Sequence, residues 1–359
     1  MSSLHFHPLS VSEARADGED AVVLRFDVPP ALRETFRFEA GQYLTLRALV
    51  DGQDLRRSYS ICAAPGEGAL RVGVRRVDGG AFSNWVHAAL RPGQTIEVFP
   101  PQGRFTLRAA AAPRHVLGIA GGAGITPILA IMKTLLANEP RSRFTLLYGN
   151  RTLASTMFKE EIEDLKNRYL TRLAVHPVFS REQVDAPLQA GRLDAAKLAL
   201  FLRTLVPAAG VDAAYVCGPH ALNDAAEAAL RAAGVAAEAI HVERFGTPEM
   251  RSGRAAPHEV RPGDADAASI TVVRDGLSRS VPFAKTDPSL LDAALRAGLE
   301  LPFSCRSGVC STCRCKVLEG RVRMDRNFAL DRDEVAAGFV LSCQAHPLTE
   351  RVVVSFDER

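Results

Sequence analysis

The sequence predicts a multidomain protein: an antiparallel β-barrel domain, then an α/β domain with a parallel sheet, then a C-terminal α+β domain. Three observations support this fold class. The first hundred residues alternate short β-rich runs with turns, strands alternate with helices from Arg114 onward, and residues 269–298 have a hairpin pattern followed by a helix pattern. A chain of 359 residues also exceeds what one core usually supports, since domains typically contain about 100–200 residues.

Composition and charge argue against several classes of protein. Hydrophobic residues make up 47% of the chain and charged residues 24%, which is typical of a folded globular protein. The net charge of +3 is small for the basic surface that nucleic-acid binding requires, so nucleic acid is not expected as a partner. No stretch approaches the roughly 18 apolar residues of a membrane span, and the N-terminus has no signal-peptide pattern. We therefore expect no membrane association and a cytoplasmic location.

The first two domains are expected over residues 1–110 and 111–246. Runs such as AVVLRFDV, QYLTLRALV and ALRVGVRRV are rich in β-formers and separated by turns, which favours a small barrel or sandwich. The strand HVLGIA then precedes a glycine turn and the helix ITPILAIMKTLLANE, and the helix MFKEEIEDLKNRYL follows the next strand. Such alternation predicts a parallel sheet, whose ligands bind at the carboxyl ends of its strands.

A third domain is expected over residues 268–359, after a linker. Residues 247–267 combine Gly, Pro and charged residues without an apolar period, as exposed linkers do. The dipeptide Asp275-Gly276 predicts a hairpin turn. Asp287 is expected to cap the helix SLLDAALRAG, whose last glycine ends it.

The cysteine-rich segment has the spacing of an iron–sulfur site. Four residues separate Cys305 from Cys310, two separate Cys310 from Cys313, and Cys343 follows within LSCQAHP. This is the plant-type 2Fe-2S pattern of C-x4-C-x2-C and a distant fourth cysteine. A zinc site could instead use four cysteines, namely Cys310, Cys313, Cys315 and Cys343. That spacing is unusual for structural zinc, and it leaves Cys305 unused. We interpret Cys315 as a small buried side chain.

The last domain resembles a known family in CRSGVCSTCRCKVLEGRV and FVLSCQAHPL. These segments are similar to plant-type ferredoxins and to the ferredoxin modules fused to bacterial oxygenase reductases. The resemblance implies a β-grasp fold and a 2Fe-2S cluster bound by four cysteines, namely Cys305, Cys310, Cys313 and Cys343. The small residues around them would let the backbone approach the cluster and direct N–H groups at it.

The segment RRSYS, residues 56–60, resembles the R-x-Y-S motif of the ferredoxin-NADP reductase superfamily, which Arg57, Ser58, Tyr59 and Ser60 match. The resemblance implies that the barrel binds a flavin, FAD. Arg57 would pair with its diphosphate, Tyr59 would stack on the isoalloxazine, and Ser60 would lie near flavin N5. Each role suits its residue, because a guanidinium holds phosphate bidentately, a phenol has a flat apolar face and a hydroxyl can bond a ring nitrogen.

A second flavin segment is RRVDGGAFSNW, residues 75–85, which resembles the superfamily in its glycine turn and serine. The resemblance implies FAD contacts from Gly80, Phe82 and Ser83, with backbone and hydroxyl donors directed at phosphate. Without the first motif, the same residues would be an ordinary turn before a helix. Trp85, the sole tryptophan, is interpreted as a packing residue.

The segment GIAGGAGITP, residues 118–127, follows a predicted strand and opens a helix, as a dinucleotide site requires. Proline replaces the third glycine of G-x-G-x-x-G, and the segment instead resembles the GGxGxTP motif of the same superfamily. Gly122 and Gly124 would let the backbone approach the diphosphate, and Thr126 would bond the diphosphate or the nicotinamide end.

Two further segments resemble parts of the superfamily's hydride-transfer site. YVCGP matches its C-G-P motif, which implies cofactor contacts from Cys217, Gly218 and Pro219; a buried cysteine before a Gly-Pro turn is the alternative. VERFG resembles the terminal segment whose aromatic residue covers the flavin, here Phe245, while Glu243 either contacts the flavin edge or is a solvated charge. The residues expected at the reacting centre are therefore Tyr59, Ser60, Cys217 and Phe245.

The nucleotide is expected to be NADPH. VFSREQ resembles the segment that holds the 2′-phosphate in NADPH-preferring members, which implies contacts from Ser180 and Arg181, and LLYGNR adds Arg151. A dianionic phosphate favours a hydroxyl and N–H forks, whereas an NAD site more often places an acidic residue on the ribose. A solvated arginine is the alternative for Arg181.

Together the motifs predict a reductase that passes electrons from NADPH through FAD and a 2Fe-2S cluster to the metal centre of an oxygenase component. The cofactors supply this chemistry, and the protein supplies their positions and potentials. Other acceptors stay open, namely a Rieske ring hydroxylase, a desaturase or a hybrid-cluster protein. A different class also stays open: a nucleotide-binding redox sensor or a zinc module without turnover.

Overall fold

The computed structural model describes residues 5–246 and 260–358, and they form two compact units. One unit contains the barrel and the parallel sheet, and the other is built mainly from the C-terminal residues. Most of the predicted linker, residues 247–259, lies outside the described residues. The domain bounds stay predictions; the first of them, between residues 110 and 111, falls in the loop between the strands Thr95–Gln102 and His115–Gly121.

The first hundred residues form a six-stranded barrel sheet, as the β-rich runs predict. Its strands are β1 (His7–Asp17), β2 (Ala21–Asp27), β3 (Tyr43–Val50), β4 (Gln53–Ser60), β5 (Leu70–Arg75) and β6 (Thr95–Gln102), with helix α1 (Ala81–Ala89) before β6. The strand order is β4-β3-β6-β1-β2-β5. Ile61, the residue after β4, pairs with Val72 of β5, so the two edges meet and the sheet closes. Apolar side chains from the strands and α1 fill the interior.

The α/β part contains a five-stranded parallel sheet, as the alternation of strands and helices predicts. Its strands are β7 (His115–Gly121), β8 (Arg143–Asn150), β9 (Leu173–Phe179), β10 (Ala213–Cys217) and β11 (Ile240–Glu243), and its helices are α2 (Ile125–Asn138), α3 (Lys159–Arg168), α4 (Ala195–Thr204) and α5 (His220–Ala232). The order is β11-β10-β7-β8-β9, and β7 and β10 are buried along their whole length. Helices cover both faces, which is why these strands are continuous apolar runs.

Helix α3 begins two residues later than the sequence predicts. Met157 and Phe158 are buried instead of opening the helix, and Phe158 adopts a left-handed backbone conformation with φ of 55°. Its N–H donates to the carboxylate of Asp17, at the end of β1 in the barrel, at 2.8 Å. Residues 157 and 158 are therefore not helical, although their sequence continues the helical pattern, because Phe158 makes a tertiary contact between the parallel-sheet part and the barrel.

The C-terminal unit contains a mixed five-stranded sheet and a two-stranded ribbon. Its elements are β12 (Ala267–Arg274), β13 (Leu277–Ala284), α6 (Leu290–Arg296), β14 (Arg314–Glu319), β15 (Val322–Met324), α7 (Arg332–Ala336), β16 (Phe339–Leu341), β17 (Ala345–Pro347) and β18 (Arg351–Ser355). The order is β13-β12-β18-β14-β16, with β12 and β18 parallel and β15 paired to β17. Asp275 and Gly276 both have positive φ in the β12–β13 turn, which confirms the predicted hairpin.

The cap of α6 differs from the prediction. Ser289 is the N-cap, and its hydroxyl accepts from the N–H of Asp292 at 3.2 Å. Asp287 instead accepts from the N–H of Ala284 at 2.8 Å and pairs with Arg296. The prediction of Asp287 as the cap was therefore wrong, because its carboxylate is used to close the turn that precedes the helix.

Candidate functional site

Strand β4 carries the four residues of the first flavin motif. Residues 57 and 59 share one face of the strand, and residues 58 and 60 share the other. Arg57 is exposed, Tyr59 is half-buried and Ser60 is buried. The ring of Tyr59 lies 6.1 Å from the ring of Phe82, which belongs to the barrel core. A guanidinium, a phenol ring and a hydroxyl therefore follow one another along a strand, which is a suitable donor set for a flavin and its diphosphate.

The glycine turn before α1 is held by its own side chains. Ser83 Oγ accepts from the N–H of Val77 at 3.1 Å and donates to the carbonyl of Gly80 at 3.3 Å. Asn84 Nδ2 donates to the same carbonyl at 2.8 Å. The hydroxyl of Ser83 thus orders the turn, and its bond to phosphate stays a prediction. Trp85 packs against the barrel core, as predicted.

The dinucleotide motif forms a tight turn between β7 and α2. Residues Gly122–Gly124 make one turn of 3-10 helix, and α2 begins at the next residue. A Cβ atom on Gly124 would lie 2.0 Å from the carbonyl oxygen of Cys217, so only glycine lets the turn approach the end of β10 so closely. Thr126 Oγ1 donates to the carbonyl of Ala123 at 3.0 Å. The turn and the C-G-P segment are therefore neighbours, as one shared nucleotide site requires.

The sequence interpretation missed Arg75, which reaches the same turn from the barrel. Its Nε donates to Asp20 at 2.8 Å and its Nη2 donates to the carbonyl of Ser155. Its Nη1 lies 2.6 Å from where a Cβ atom on Gly122 would be. The sequence offers two adjacent arginines in RRVDGG and no signal that separates them. In the structure, Arg75 is paired with Ala21 of β2, and its guanidinium lies beside Gly122.

The three residues predicted for the 2′-phosphate come together at the carboxyl edge of the parallel sheet. The N–H of Ser180 donates to the carbonyl of Asn150 at 3.0 Å, and the N–H of Arg181 donates to the carbonyl of Arg151 at 2.8 Å. All three predicted side chains are exposed. The nearby carboxylate of Glu182 accepts from the N–H of Leu153. Two guanidinium groups and a hydroxyl therefore border one exposed edge, as an anion site requires.

Ser60, Cys217 and Glu243 also meet, although they come from different elements. Cys217 pairs in register with Glu243 in adjacent strands, and Ser60 Oγ donates to Glu243 Oε2 at 3.4 Å. Burial raises the pKa of Glu243 to about 8, although the hydrogen bond from Ser60 opposes the rise. Burial also raises the pKa of the Cys217 thiol well above its usual range, and the charge of Glu243 adds to this. At neutral pH this site therefore holds a thiol and a carboxyl that can keep its proton.

The segment that ends in Phe245 is held by helix α5. Asn223 Nδ2 donates to the carbonyl of Glu243 at 2.9 Å, and Arg244 pairs with Asp224 at 2.7 Å. Phe245 itself is 45% exposed. The segment after β11 is therefore anchored and presents the ring of Phe245 to the surface. The position of this ring over a flavin stays a prediction.

The four cysteines of the iron–sulfur pattern form two thiol pairs. The N–H groups of Ser307 and Cys310 point at the sulfur of Cys305, at 3.4 and 3.3 Å. Hydrogen bonding from the thiol of Cys310, and then from these N–H groups and Ser307, lowers the pKa of Cys305 to about 5. Cys343 is paired with Cys313, and this contact together with burial raises its pKa well above the usual range.

This arrangement fits a two-iron cluster. Two pairs of thiolates with backbone N–H groups aimed at sulfur are the donor set that such a cluster uses. Cys305, which the zinc interpretation leaves unused, lies against Cys310. Cys315 is fully buried in β14, and burial raises its pKa to about 12, as for an inert core thiol.

Comparison with protein-family models matches all three predicted parts. Residues 8–107 match an oxidoreductase FAD-binding domain, residues 119–228 an oxidoreductase NAD-binding domain, and residues 272–348 a 2Fe-2S iron–sulfur cluster binding domain. The chain is thus an oxidoreductase with a flavin domain, a nicotinamide-nucleotide domain and a ferredoxin domain. The prediction of these cofactor classes and of the multidomain fold is confirmed.

Curated relatives define the family more closely. The chain is 46% identical to one of the subunits of the 1,2-phenylacetyl-CoA epoxidase of Escherichia coli strain K12, over 99% of this chain and 98% of the relative. It is 34% identical to the ferredoxin reductase component of 3-ketosteroid-9-alpha-monooxygenase from Rhodococcus rhodochrous, over 97% and 96%. The chain therefore belongs to the family of oxygenase reductase components that these relatives represent, and the predicted class of electron-transfer enzyme is confirmed.

Solved structures show the same fold. Phthalate dioxygenase reductase is 23% identical, with a TM-score of 0.60 and coverage of 98% of both chains. An Amycolatopsis cytochrome P450 reductase is 27% identical, with a TM-score of 0.57, over 68% of this chain and 72% of that one. Among the described residues, no helix is long and apolar enough to cross a membrane.

Proposed function

We propose that this protein takes electrons from NADPH and delivers them singly to the di-iron oxygenase component of a 1,2-phenylacetyl-CoA epoxidase, in aerobic phenylacetate degradation. The observation that carries the choice of acceptor is the 46% identity to a subunit of that enzyme over nearly the whole of both chains. The reductase component of 3-ketosteroid-9-alpha-monooxygenase matches at 34%. A Rieske hydroxylase, a desaturase or a hybrid-cluster protein is the alternative acceptor.

The barrel and the glycine turn would hold the two organic cofactors. Arg57 is suited to bind the FAD diphosphate, with Tyr59 against the flavin ring and Ser60 at its edge. Arg75 would hold the nucleotide diphosphate from the barrel side, since its guanidinium lies beside Gly122. When bound, the nicotinamide supplies two electrons as a hydride, the flavin separates them, and the 2Fe-2S cluster carries them one at a time.

Preference for NADPH over NADH would come from the exposed edge of β8 and β9. Arg151, Ser180 and Arg181 provide two guanidinium groups and a hydroxyl there. Charge-assisted hydrogen bonds to a phosphate are stronger than neutral ones, so this edge favours the nucleotide that carries a 2′-phosphate. The nearby acid Glu182 is engaged with a backbone N–H.

The group formed by Ser60, Cys217 and Glu243 would order the reacting centre. Glu243 can hold a proton on its carboxyl at neutral pH, since its pKa is about 8. Ser60 Oγ joins that carboxyl to the flavin motif. Cys217 stays a neutral thiol, and its small side chain leaves room for a planar ring at the end of β10. Phe245 would cover the flavin until the nicotinamide takes its place.

Cys305, Cys310, Cys313 and Cys343 would bind the two irons of the cluster.

We propose the cytoplasm as the location. None of the seven cysteines is in a disulfide, including the three that lie outside the set expected to bind iron. Reduced thiols are usual in the cytoplasm.

The decisive experiment combines this protein with the E. coli epoxidase from which the subunit similar to this chain has been left out. We expect NADPH-dependent consumption of phenylacetyl-CoA that requires this protein, and visible flavin and iron–sulfide absorption that bleaches with NADPH. The oxygenase component of 3-ketosteroid-9-alpha-monooxygenase serves as the control acceptor. Bleaching without phenylacetyl-CoA consumption would show that the acceptor is wrong, and absence of bleaching would refute electron transfer itself.

A further inference from the structure

Four charged side chains form a closed cluster between the barrel and the parallel-sheet part. Glu67 lies in the turn before β5, Arg71 lies in β5, Lys133 lies in α2 and Glu161 lies in α3. The side chain of Lys133 is only 9% exposed, and the other three are 18–30% exposed. We call these residues the four-charge cluster. It lies outside the motifs that are expected to bind the cofactors.

The charges alternate around the cluster. Lys133 Nζ lies 2.5 Å from Glu67 and 2.7 Å from Glu161. Arg71 Nη2 lies 2.9 Å from Glu161 and 3.6 Å from Glu67. The contacts Lys133–Glu67 and Arg71–Glu161 each join the barrel to the parallel-sheet part. Each cation thus bridges two carboxylates, and each carboxylate bridges two cations.

Such a cluster controls geometry more than it adds stability. Taking a lysine and its partners out of water costs free energy that their mutual attraction only roughly repays. Charge-assisted hydrogen bonds are directional, however. All the hydrogen bonds of the four-charge cluster can therefore form at only one placement of the barrel relative to the parallel-sheet part. Burial raises the pKa of Glu161, but the hydrogen bonds and charges of Lys133 and Arg71 outweigh this and lower it overall. The carboxylate is therefore charged at neutral pH.

The four-charge cluster lies on the helix that begins at the dinucleotide motif and on a strand that pairs with the residue directly after the R-x-Y-S strand. Helix α2 starts at the dinucleotide turn, and Lys133 follows Thr126 by seven residues, or about 10 Å along the helix. Strand β5 pairs with Ile61, directly after the R-x-Y-S strand. A shift of α2 against β5 would therefore move the nicotinamide site against the flavin site. Displacement of reacting groups by about 1 Å can slow a reaction by about a hundredfold.

We propose that the four-charge cluster positions the nicotinamide against the flavin for hydride transfer, with Glu161 and Lys133 acting as positioning residues. This inference rests on the proposed role of NADPH as the electron donor. With both cofactors bound, a hydride would pass from nicotinamide C4 to flavin N5, so that NADPH is oxidised and the flavin reduced by the same two electrons. The four-charge cluster takes no part in this electron transfer. Its role is to hold the nicotinamide site and the flavin site at reacting distance.

The test compares Glu161→Gln with Glu163→Gln, a matched control. Glu163 lies on the same helix, is exposed and pairs only with Lys159 among the described residues. In anaerobic stopped-flow experiments, Glu161→Gln should slow the limiting rate of flavin reduction at least about tenfold, with the NADPH Kd changed less than about twofold. In the protein without nucleotide, hydrogen–deuterium exchange over residues 125–138 should rise in Glu161→Gln. Neither the limiting rate of flavin reduction nor the exchange over residues 125–138 should change in Glu163→Gln.

A conservative variant separates positioning from general loss of structure. Lys133→Arg keeps the charge and should retain most of the reduction rate, whereas Lys133→Met should lose it while keeping bound FAD. The inference is overturned if Glu161→Gln reduces its flavin within about twofold of the parent rate, if its exchange is unchanged, or if Lys133→Arg is as slow as Lys133→Met. If NADPH does not reduce the flavin of the parent protein, the proposed function fails instead.

Discussion

Arg151 and Arg181 show how the place of a residue on the sheet supports the role proposed for it. Both guanidinium groups are exposed at the carboxyl edge, and their backbones are bonded to each other after β8 and β9. Neither has a carboxylate partner among the described residues. Arginines elsewhere in the same part, such as Arg114 and Arg172, bond neighbouring carboxylates or carbonyls. The two edge arginines are thus well placed to take an external anion.

Arg181→Ala tests this role. The substitution removes the N–H fork offered to the 2′-phosphate, and a hydrogen bond to a charged group contributes about 1.5–3 kcal/mol. We expect the KM for NADPH to rise about tenfold or more, while the KM for NADH stays nearly unchanged. Steady-state kinetics with both nucleotides measure this.

Arg203→Ala is the matched control, because Arg203 is exposed in the last turn of α4, at the opposite edge of the sheet. It should change neither KM. An equal rise with both nucleotides in Arg181→Ala would contradict a 2′-phosphate role and leave Arg181 as a solvated charge.

Among the elements, the glycine turn between β7 and α2 depends on close packing. Gly124 lies against the backbone at the end of β10, and a side chain there meets the carbonyl of Cys217 at 2.0 Å. Backbone atoms cannot move aside as a flexible side chain can. The turn and the C-G-P segment are thereby held together, and the proposed nucleotide site depends on that contact.

Gly124→Ala should force these two elements apart. Overpacking of this kind costs about 1–3 kcal/mol of unfolding free energy, and the separation should weaken NADPH binding. Denaturant unfolding and NADP+ titration measure the two effects. Gly210→Ala is the control, because a Cβ atom there meets only the guanidinium of Arg143 at an ordinary 3.5 Å. Unchanged NADP+ affinity in Gly124→Ala would contradict the shared site.

At the scale of the whole molecule, one chain combines two-electron and one-electron chemistry in separate parts. The FAD-binding and NAD-binding domains lie mainly in one compact unit, and the ferredoxin domain lies in the other. The two units have separate hydrophobic cores. Loss of the 2Fe-2S cluster should therefore leave reduction of the flavin by NADPH intact.

Cys313→Ala and Cys315→Ala test this separation and the ligand set together. Cys313→Ala should lose iron and phenylacetyl-CoA turnover but keep NADPH-dependent ferricyanide reduction within about twofold. Cys315→Ala removes only a buried thiol, so it should keep iron and both activities, with a small loss of stability. Iron content and the two assays measure these outcomes. Iron loss in Cys315→Ala would show that the thiol is a ligand.

Local patterns account for much of what could be predicted. Strand alternation, the Asp275-Gly276 turn and the cysteine spacing depend on residues close in sequence, and the structure or the family comparisons agree with them. The start of α3 and the cap of α6 were predicted wrongly. In both cases an aspartate bonds a backbone N–H that the local pattern does not involve: Asp17 holds Phe158, and Asp287 closes its own turn.

The sequence by itself determined the three domains, their order and the classes of cofactor, because motifs for FAD, nicotinamide nucleotide and a 2Fe-2S cluster are contiguous or regularly spaced. Only the tertiary structure decided that Arg75 faces the glycine turn, that Ser60 meets Glu243, and that Lys133 meets Glu161 and Glu67 between α2, α3 and the barrel. The hydrogen bond from Lys133 to Glu161 spans 28 positions in the sequence, and the one from Ser60 to Glu243 spans 183. Such partners are chosen by sheet pairing and domain packing, and no local pattern encodes that choice.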